Sequence, residues 1–206
     1  MKYRGPKLDQ TRPALFFTAF PRDFQVGSET MGWAQVLPAL AVLVAVSAAV
    51  TDVRERRIPN RLTYPAMLAG LVLQTALHGW KGLLVSAGGG LFFGGLFLLF
   101  YAVRAMGAGD VKLAAALGCI AGSSAALQLM FATAVAGGAL AIIVMVWSGR
   151  VVQTLRNTLW VVAFHSRHGL QTHPVVNLDN PTAVRMPYGL AFAAGTLYWA
   201  FLNFWR

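Results

Sequence analysis

The run from Gly82 to Val103, GLLVSAGGGLFFGGLFLLFYAV, decides the fold, because its 22 consecutive residues carry no charge. A helix needs about 20 predominantly apolar residues to cross the hydrocarbon core of a bilayer, and this run supplies them without interruption. Outward from it, comparable stretches lie near residues 33–51, 62–79, 125–147 and 187–205. A shorter one, near 111–122, can cross if the bilayer thins or if it is buried among other helices. Composition agrees: 57% of the 206 residues are hydrophobic and 12% charged, and the mean hydropathy is +0.58. That leaves too little polar surface to cover a soluble globule. The expected fold is an all-α polytopic membrane protein with about six transmembrane helices, or five if the short stretch does not cross.

Loops are short except for residues 149–186. Within that segment, Val151, Val152, Leu155, Leu159, Val162 and Ala163 alternate with Arg156, Asn157 and Thr158. This pattern, from Val151 to Phe164, predicts an amphipathic helix lying on the membrane surface. The stretch Ser166 to Pro187 is rich in His, Asn, Pro and Thr and reads as a turn-forming loop. Pro187 then suits the first position of the last helix. Gly88-Gly89-Gly90 and Gly94-Gly95 place a Gly90-xxx-Gly94 spacing on one helix face, a mark of close helix packing. The single cysteine, Cys119, lies inside the short apolar stretch and reads as inert packing, which excludes a disulfide framework and a CxxC metal site.

Lysine and arginine set the orientation. If the segment after the first helix is cytoplasmic, that side holds Arg54, Arg56, Arg57, Arg61, Arg104, Lys112, Arg150, Arg156, Arg167 and Arg185. The other side holds Lys81 and Arg206, and the positive-inside rule therefore favours this arrangement. Lys2, Arg4, Lys7, Arg12 and Arg22 belong to a tail that would lie outside, against the rule. Either the tail is tolerated or translation starts at Met31, so the chain divides into a tail, 1–31, and a membrane domain, 32–206. The tail lacks the long apolar core of a signal peptide. The topology accounts for most of the net charge of +10, so the expected partner is the lipid bilayer and not nucleic acid. Nothing in the chain sets an oligomeric state.

Seven carboxylates remain to carry chemistry. Asp9, Asp23 and Glu29 lie in the tail and Asp179 in the long loop, which leaves Asp52, Glu55 and Asp110 near the membrane. Asp52 closes the first apolar stretch in the run Val50-Thr51-Asp52-Val53-Arg54-Glu55-Arg56-Arg57-Ile58-Pro59-Asn60, where Pro59 ends the helix and Asn60 or Thr63 can cap the next. Asp110 opens the short stretch in Met106-Gly107-Ala108-Gly109-Asp110-Val111-Lys112. A charged side chain at membrane depth costs roughly 2.5 kcal/mol or more and marks a candidate functional site. Read singly, Asp110 could be a helix cap, and Asp52 a member of a solvated anchor pair with the arginines after it.

Their matching depth on one side argues for a pair. Two aspartates sharing a proton can activate water, the ionised partner taking its proton while the protonated one polarises a carbonyl. Gly107 and Gly109 are expected to shape the backbone there, through angles closed to other residues and through close approach of a peptide chain. The helix macrodipole favours an ionised Asp110 at a helix N-terminus and a protonated Asp52 near a C-terminus. Arg54, Arg56, Arg57 and Lys112 read as headgroup anchors. His165, His168 and His173 have no acidic or cysteine ligand arranged with them, and His78 reads as interfacial on the opposite face. No metal and no cofactor are expected.

Gly107-Ala108-Gly109-Asp110-Val111-Lys112-Leu113 resembles the GxGD motif of the type IV prepilin peptidase family of membrane aspartic proteases. The segment from Asp52 to Asn60, ending Ile58-Pro59-Asn60, is similar to the one holding that family's other catalytic aspartate. Met186-Pro187-Tyr188-Gly189 resembles the family's turn into the final helix, with Tyr where Phe is common. The resemblance spans about residues 33–205. It implies that Asp52 and Asp110 are catalytic and that the substrate is a prepilin or pseudopilin precursor. The cut would fall on the cytoplasmic side of the bacterial inner membrane, after a short basic leader ending in glycine. Larger family members carry two CxxC pairs in an added segment and N-methylate the new terminus. This chain has one cysteine, so the resemblance is to the short enzymes of Flp-type, tight-adherence pilus systems, peptidases without methyltransferase activity. Two other readings stay open: a small proton-coupled transporter using both aspartates as relay groups, and a noncatalytic membrane assembly subunit.

Overall fold

A computed structural model of the protein describes residues 35–149, 151–168 and 187–204. The expectations for the N-terminal tail, for His173 and Asp179 and for Met186 fall outside the described residues, as do the side chains of His165 and His168. Every described element is helical: α1 (Val36–Glu55), α2 (Asn60–Ala102), α3 (Ala108–Ala121), α4 (Ser123–Trp147), α5 (Val151–His168) and α6 (Tyr188–Phe204). Among the described residues, three helices are long and apolar enough to cross a membrane: α1, α2 and α4. With 14 and 17 residues, α3 and α6 fall short of that length.

The apolar stretches expected at 62–79 and 82–104 are joined in α2, whose 43 residues would reach about 64 Å if straight, twice the depth of a bilayer core. It is not straight. Gly79 breaks it at φ 61°, ψ −146°, a left-handed conformation open to glycine and costly for other residues. The chain reverses there. A Cβ at Gly82 would stand 2.6 Å from the main-chain carbon of Gln74, although eight residues of unbroken helix span about 12 Å. Two limbs result, residues 60–78 and 80–102, and both pack on α3.

The seating of α3 between the limbs explains two buried polar residues. Helix ends leave their last four carbonyls without partners inside the helix, and Cys119 and Ile120 at the end of α3 are buried. Gln74, from the first limb, donates its Nε2–H to the Ile120 carbonyl at 3.0 Å, and Ser86, from the second, donates its hydroxyl to the Cys119 carbonyl at 2.7 Å. Gln74→Leu removes the first bond and strands a buried carbonyl. We expect a loss of about 1–3 kcal/mol, seen as a lower thermal midpoint in detergent, with Thr75→Val as the control. Thr75 only bonds back to Leu71 in its own helix; equal losses in both variants would contradict the assignment.

Small residues face inward and large apolar ones outward, the reverse of a soluble helix. On α1, Ala41, Val44, Ala45, Ala48 and Ala49 are buried at helical spacing, while Leu43, Val46, Val50 and Val53 are exposed. Without a hydrophobic drive between helices in lipid, close backbone approach supplies the packing energy. The expected Gly90-xxx-Gly94 face does pack on α3, Gly90 against Cys119 and Gly94 against Ala115. A triangle of Phe93, Phe97 and Phe192, with centroids 5.1–5.9 Å apart, ties the second limb of α2 to α6. Helix α5 forms as expected and extends to His168. Its stripe of Val152, Leu155 and Leu159 is exposed.

Candidate active site

Asp52 and Asp110 come to the same end of the helical bundle by different routes. α1 stops just beyond Asp52, where Arg56 turns left-handed (φ 50°) and returns its N–H to the Asp52 carbonyl at 2.9 Å. Pro59 follows with extended angles and serves as the N-cap of α2, so neither Asn60 nor Thr63 caps that helix. Thr63 is fully buried. The Asn60 side chain is engaged elsewhere, accepting a hydrogen bond at 2.9 Å from Lys112 Nζ, which also sits 5.2 Å from the centre of the Tyr64 ring. Lys112 therefore clamps the start of α2 to the first turns of α3, a more specific task than headgroup anchoring.

The connection between α1 and α2 lies across α3. Ile58, 6% exposed, packs on Gly109, where a Cβ would come within 3.1 Å of the Ile58 Cβ. Close approach is thus what Gly109 provides. The expectation of unusual backbone angles fails at both glycines: Gly107 has φ −79°, ψ 154°, open to any residue, and Gly109 lies within helical α3. Neither has a positive φ.

Asp110 occupies the first turn of α3, outside the three membrane-length helices, and is 8% exposed. Its Oδ2 accepts the Gly107 N–H at 3.1 Å. Burial pushes its carboxyl from the ordinary 3.8 up to about 6, opposed by the Gly107 bond and assisted by the negative charge of Asp52. The helix macrodipole acts in the opposite direction, favouring an ionised Asp110, and is outweighed. A helix N-terminus supplies only about 0.3–1 kcal/mol, less than the desolvation of a buried carboxylate. Asp110 is accordingly the carboxyl that holds a proton more readily than an ordinary aspartate does.

Asp52 is half-buried, and its Oδ2 accepts the main-chain N–H of Gly189 at 2.7 Å. Gly189 is the second residue of α6, after Pro187 and Tyr188. Pro187 stands one position ahead of the first helical residue, its carbonyl accepting the Leu190 N–H at 3.1 Å. Tyr188, partly buried, lies within the field of Asp110 as Asp110 lies within that of Asp52. Three chain segments far apart in sequence therefore meet here. The family resemblance marks Met186-Pro187-Tyr188-Gly189 as the turn into the final helix, but the contact of Gly189 with Asp52 is visible only in the structure.

A family model described as the Type IV leader peptidase family matches residues 39–142, a range containing both aspartates. Two curated proteins from Burkholderia pseudomallei, strains 1026b and K96243, each named prepilin leader peptidase/N-methyltransferase, are 37% identical to this chain over 119 residues. Those residues are 54% of this chain and 37% of each relative, so the chain matches little more than a third of their length. No solved structure gives a significant match.

Proposed function

Because the chain belongs to the type IV leader peptidase family, we propose that it is a membrane aspartic endopeptidase that removes the leader from type IV or Flp-like prepilins, with Asp52 and Asp110 as its catalytic pair. The observation that carries this reading is the meeting of the two carboxylates, one buried and one half-buried, at a single end of the bundle. Asp110 acts in its protonated form, which burial extends up to about pH 6, and directs that proton at the scissile carbonyl. Asp52 takes a proton from water, whose oxygen attacks the carbonyl carbon. The tetrahedral intermediate then collapses and the C–N bond breaks, the leaving amine taking the proton that Asp52 removed from water while the proton on the former carbonyl oxygen returns to Asp110. Ile58 on Gly109 and Lys112 on Asn60 hold the two helix ends in register.

The site faces the cytoplasm from the bacterial inner membrane. In support, Arg54, Arg56, Arg57, Arg61, Arg104 and Lys112 flank the helix ends that carry the aspartates, whereas the Gly79 turn has Lys81. The two limbs of α2 cross separately and α3 is inserted between them, so that six segments build the bundle, with α5 lying on the surface. The chain acts as a peptidase alone: its one cysteine, Cys119, is buried in α3, and nothing in it corresponds to the two CxxC pairs associated with methylation.

Co-expression with candidate Flp-type prepilins tests the reading, with the pilin mass as readout. Loss of a leader ending after glycine is expected with the wild type, and a full-length precursor with Asp52→Asn or Asp110→Asn. Cleavage surviving in either variant removes that carboxylate from the mechanism.

A further inference from the structure

The N–H of Gly189 lies in the first turn of α6, among the four donors that a helix leaves without internal partners. It is committed to a side chain 137 residues earlier in the chain, the Oδ2 of Asp52. That approach requires the missing side chain. A Cβ on Gly189 would stand 2.9 Å from the Asp52 Cβ, 3.0 Å from its Oδ2 and 3.0 Å from the Ala49 Cα. The last of these is main chain and cannot yield unless α6 leaves α1. Gly189 does not have a positive φ, so its glycine serves contact and not conformation.

The geometry points to Gly189 as a positioning residue: its main-chain N–H holds Asp52 Oδ2 in place and leaves Oδ1 for proton transfer. This rests on the catalytic pair of the preceding section and extends it to a third segment of chain. Neither the charge of Asp52 nor its place at the end of α1 fixes the rotamer of its carboxylate; the amide of α6 does. Misplacing a reacting group by about 1 Å can cost 10²-fold in rate, and a group that acts only through such placement changes kcat more than KM.

The test uses the full chain in nanodiscs with a purified prepilin that the wild type cleaves. Gly189→Ala should lower kcat by about 10²-fold with KM changed less than about two-fold. The comparison variant is Gly195→Ala, on the same helix, where a Cβ would stand 2.6 Å from the main chain of Thr133 in α4. It should lose stability yet keep the kcat of its folded fraction. A wild-type kcat in Gly189→Ala, or losses in both variants that only track folded protein, would overturn the inference. A second measurement does not depend on Gly189→Ala folding. Tyr188-Gly189 is the only Tyr-Gly step in the chain, so carbonyl-13C tyrosine with 15N glycine selects its amide. That amide proton should lie downfield in the wild type and move upfield in Asp52→Ala; an unmoved resonance overturns the bond. Cleavage by Asp52→Asn would remove the catalytic pair itself, whereas cleavage lost there and intact in Gly189→Ala would remove only the role of Gly189.

Discussion

Asp110→Asn should abolish leader removal and, at neutral pH, make the protein more stable. The first effect follows from the proposed chemistry. Asparagine keeps the size and an acceptor for the Gly107 N–H but has no proton to exchange, and loss of a general acid of this kind costs about 10²–10⁴-fold in rate. The second follows from burial. With its carboxyl raised from 3.8 to about 6 in the folded protein, Asp110 contributes stability that is fully present below pH 3.8. That contribution is lost as the pH rises through about 6, where the folded chain must carry a buried anion. Asparagine carries no such charge. The two-unit rise corresponds to roughly 3 kcal/mol as an upper figure. Thermal unfolding in one detergent at pH 4 and pH 7.5 measures it: the variant should match the wild type at pH 4 and exceed it at pH 7.5. A difference that does not change with pH would contradict the burial argument. An inactive variant that is also more stable would mean that the carboxyl is kept for function at a cost to the fold.

Gly118→Val should prevent the protein from folding. Gly118 lies in the last turn of α3 and meets the second limb of α2 main chain to main chain: a Cβ there would stand 2.8 Å from the Gly89 carbonyl carbon and 3.1 Å from the Gly90 Cα. Gly89 is equally pressed, since its own Cβ would lie 2.6 Å from the Gly122 carbonyl carbon. No side-chain movement relieves such contacts. Overpacking a core costs typically 1–3 kcal/mol, and with both neighbours fixed backbone the cost here should reach about 3 kcal/mol or more. Gly95→Val supplies the comparison, because a Cβ at Gly95 meets nothing within 4 Å. Chromatographic yield of monodisperse protein should collapse for Gly118→Val and hold for Gly95→Val. Similar yields would mean that α2 and α3 are not packed this closely.

Much of this architecture is legible in the chain. The apolar runs place α1, α3, α4 and α6 to within a few residues, because twenty uncharged residues in a row have few other uses. The paired glycines of α2 signal close packing on their own. Asp52 and Asp110 stand out because a carboxylate in an apolar setting is expensive. The reversal between the second and third apolar runs is legible too, because the break around Lys81 separates two spans; that Gly79 is the residue that turns the chain, at φ 61°, is not. The capping of α2 is also missed: Asn60 looks like a cap until Lys112, 52 residues away, engages it.

The sequence by itself therefore determined the membrane class, the helical segments and which two carboxylates stand out, since these depend on hydropathy and charge along a local stretch. Only the tertiary structure decided the rest. Gly189 meets Asp52, Gln74 and Ser86 cover the end of α3, and burial raises the Asp110 carboxyl against the pull of its helix end. Each of these depends on which surfaces exclude water from one another. Desolvation and steric contact between segments distant along the chain outweigh the small local field of a helix end.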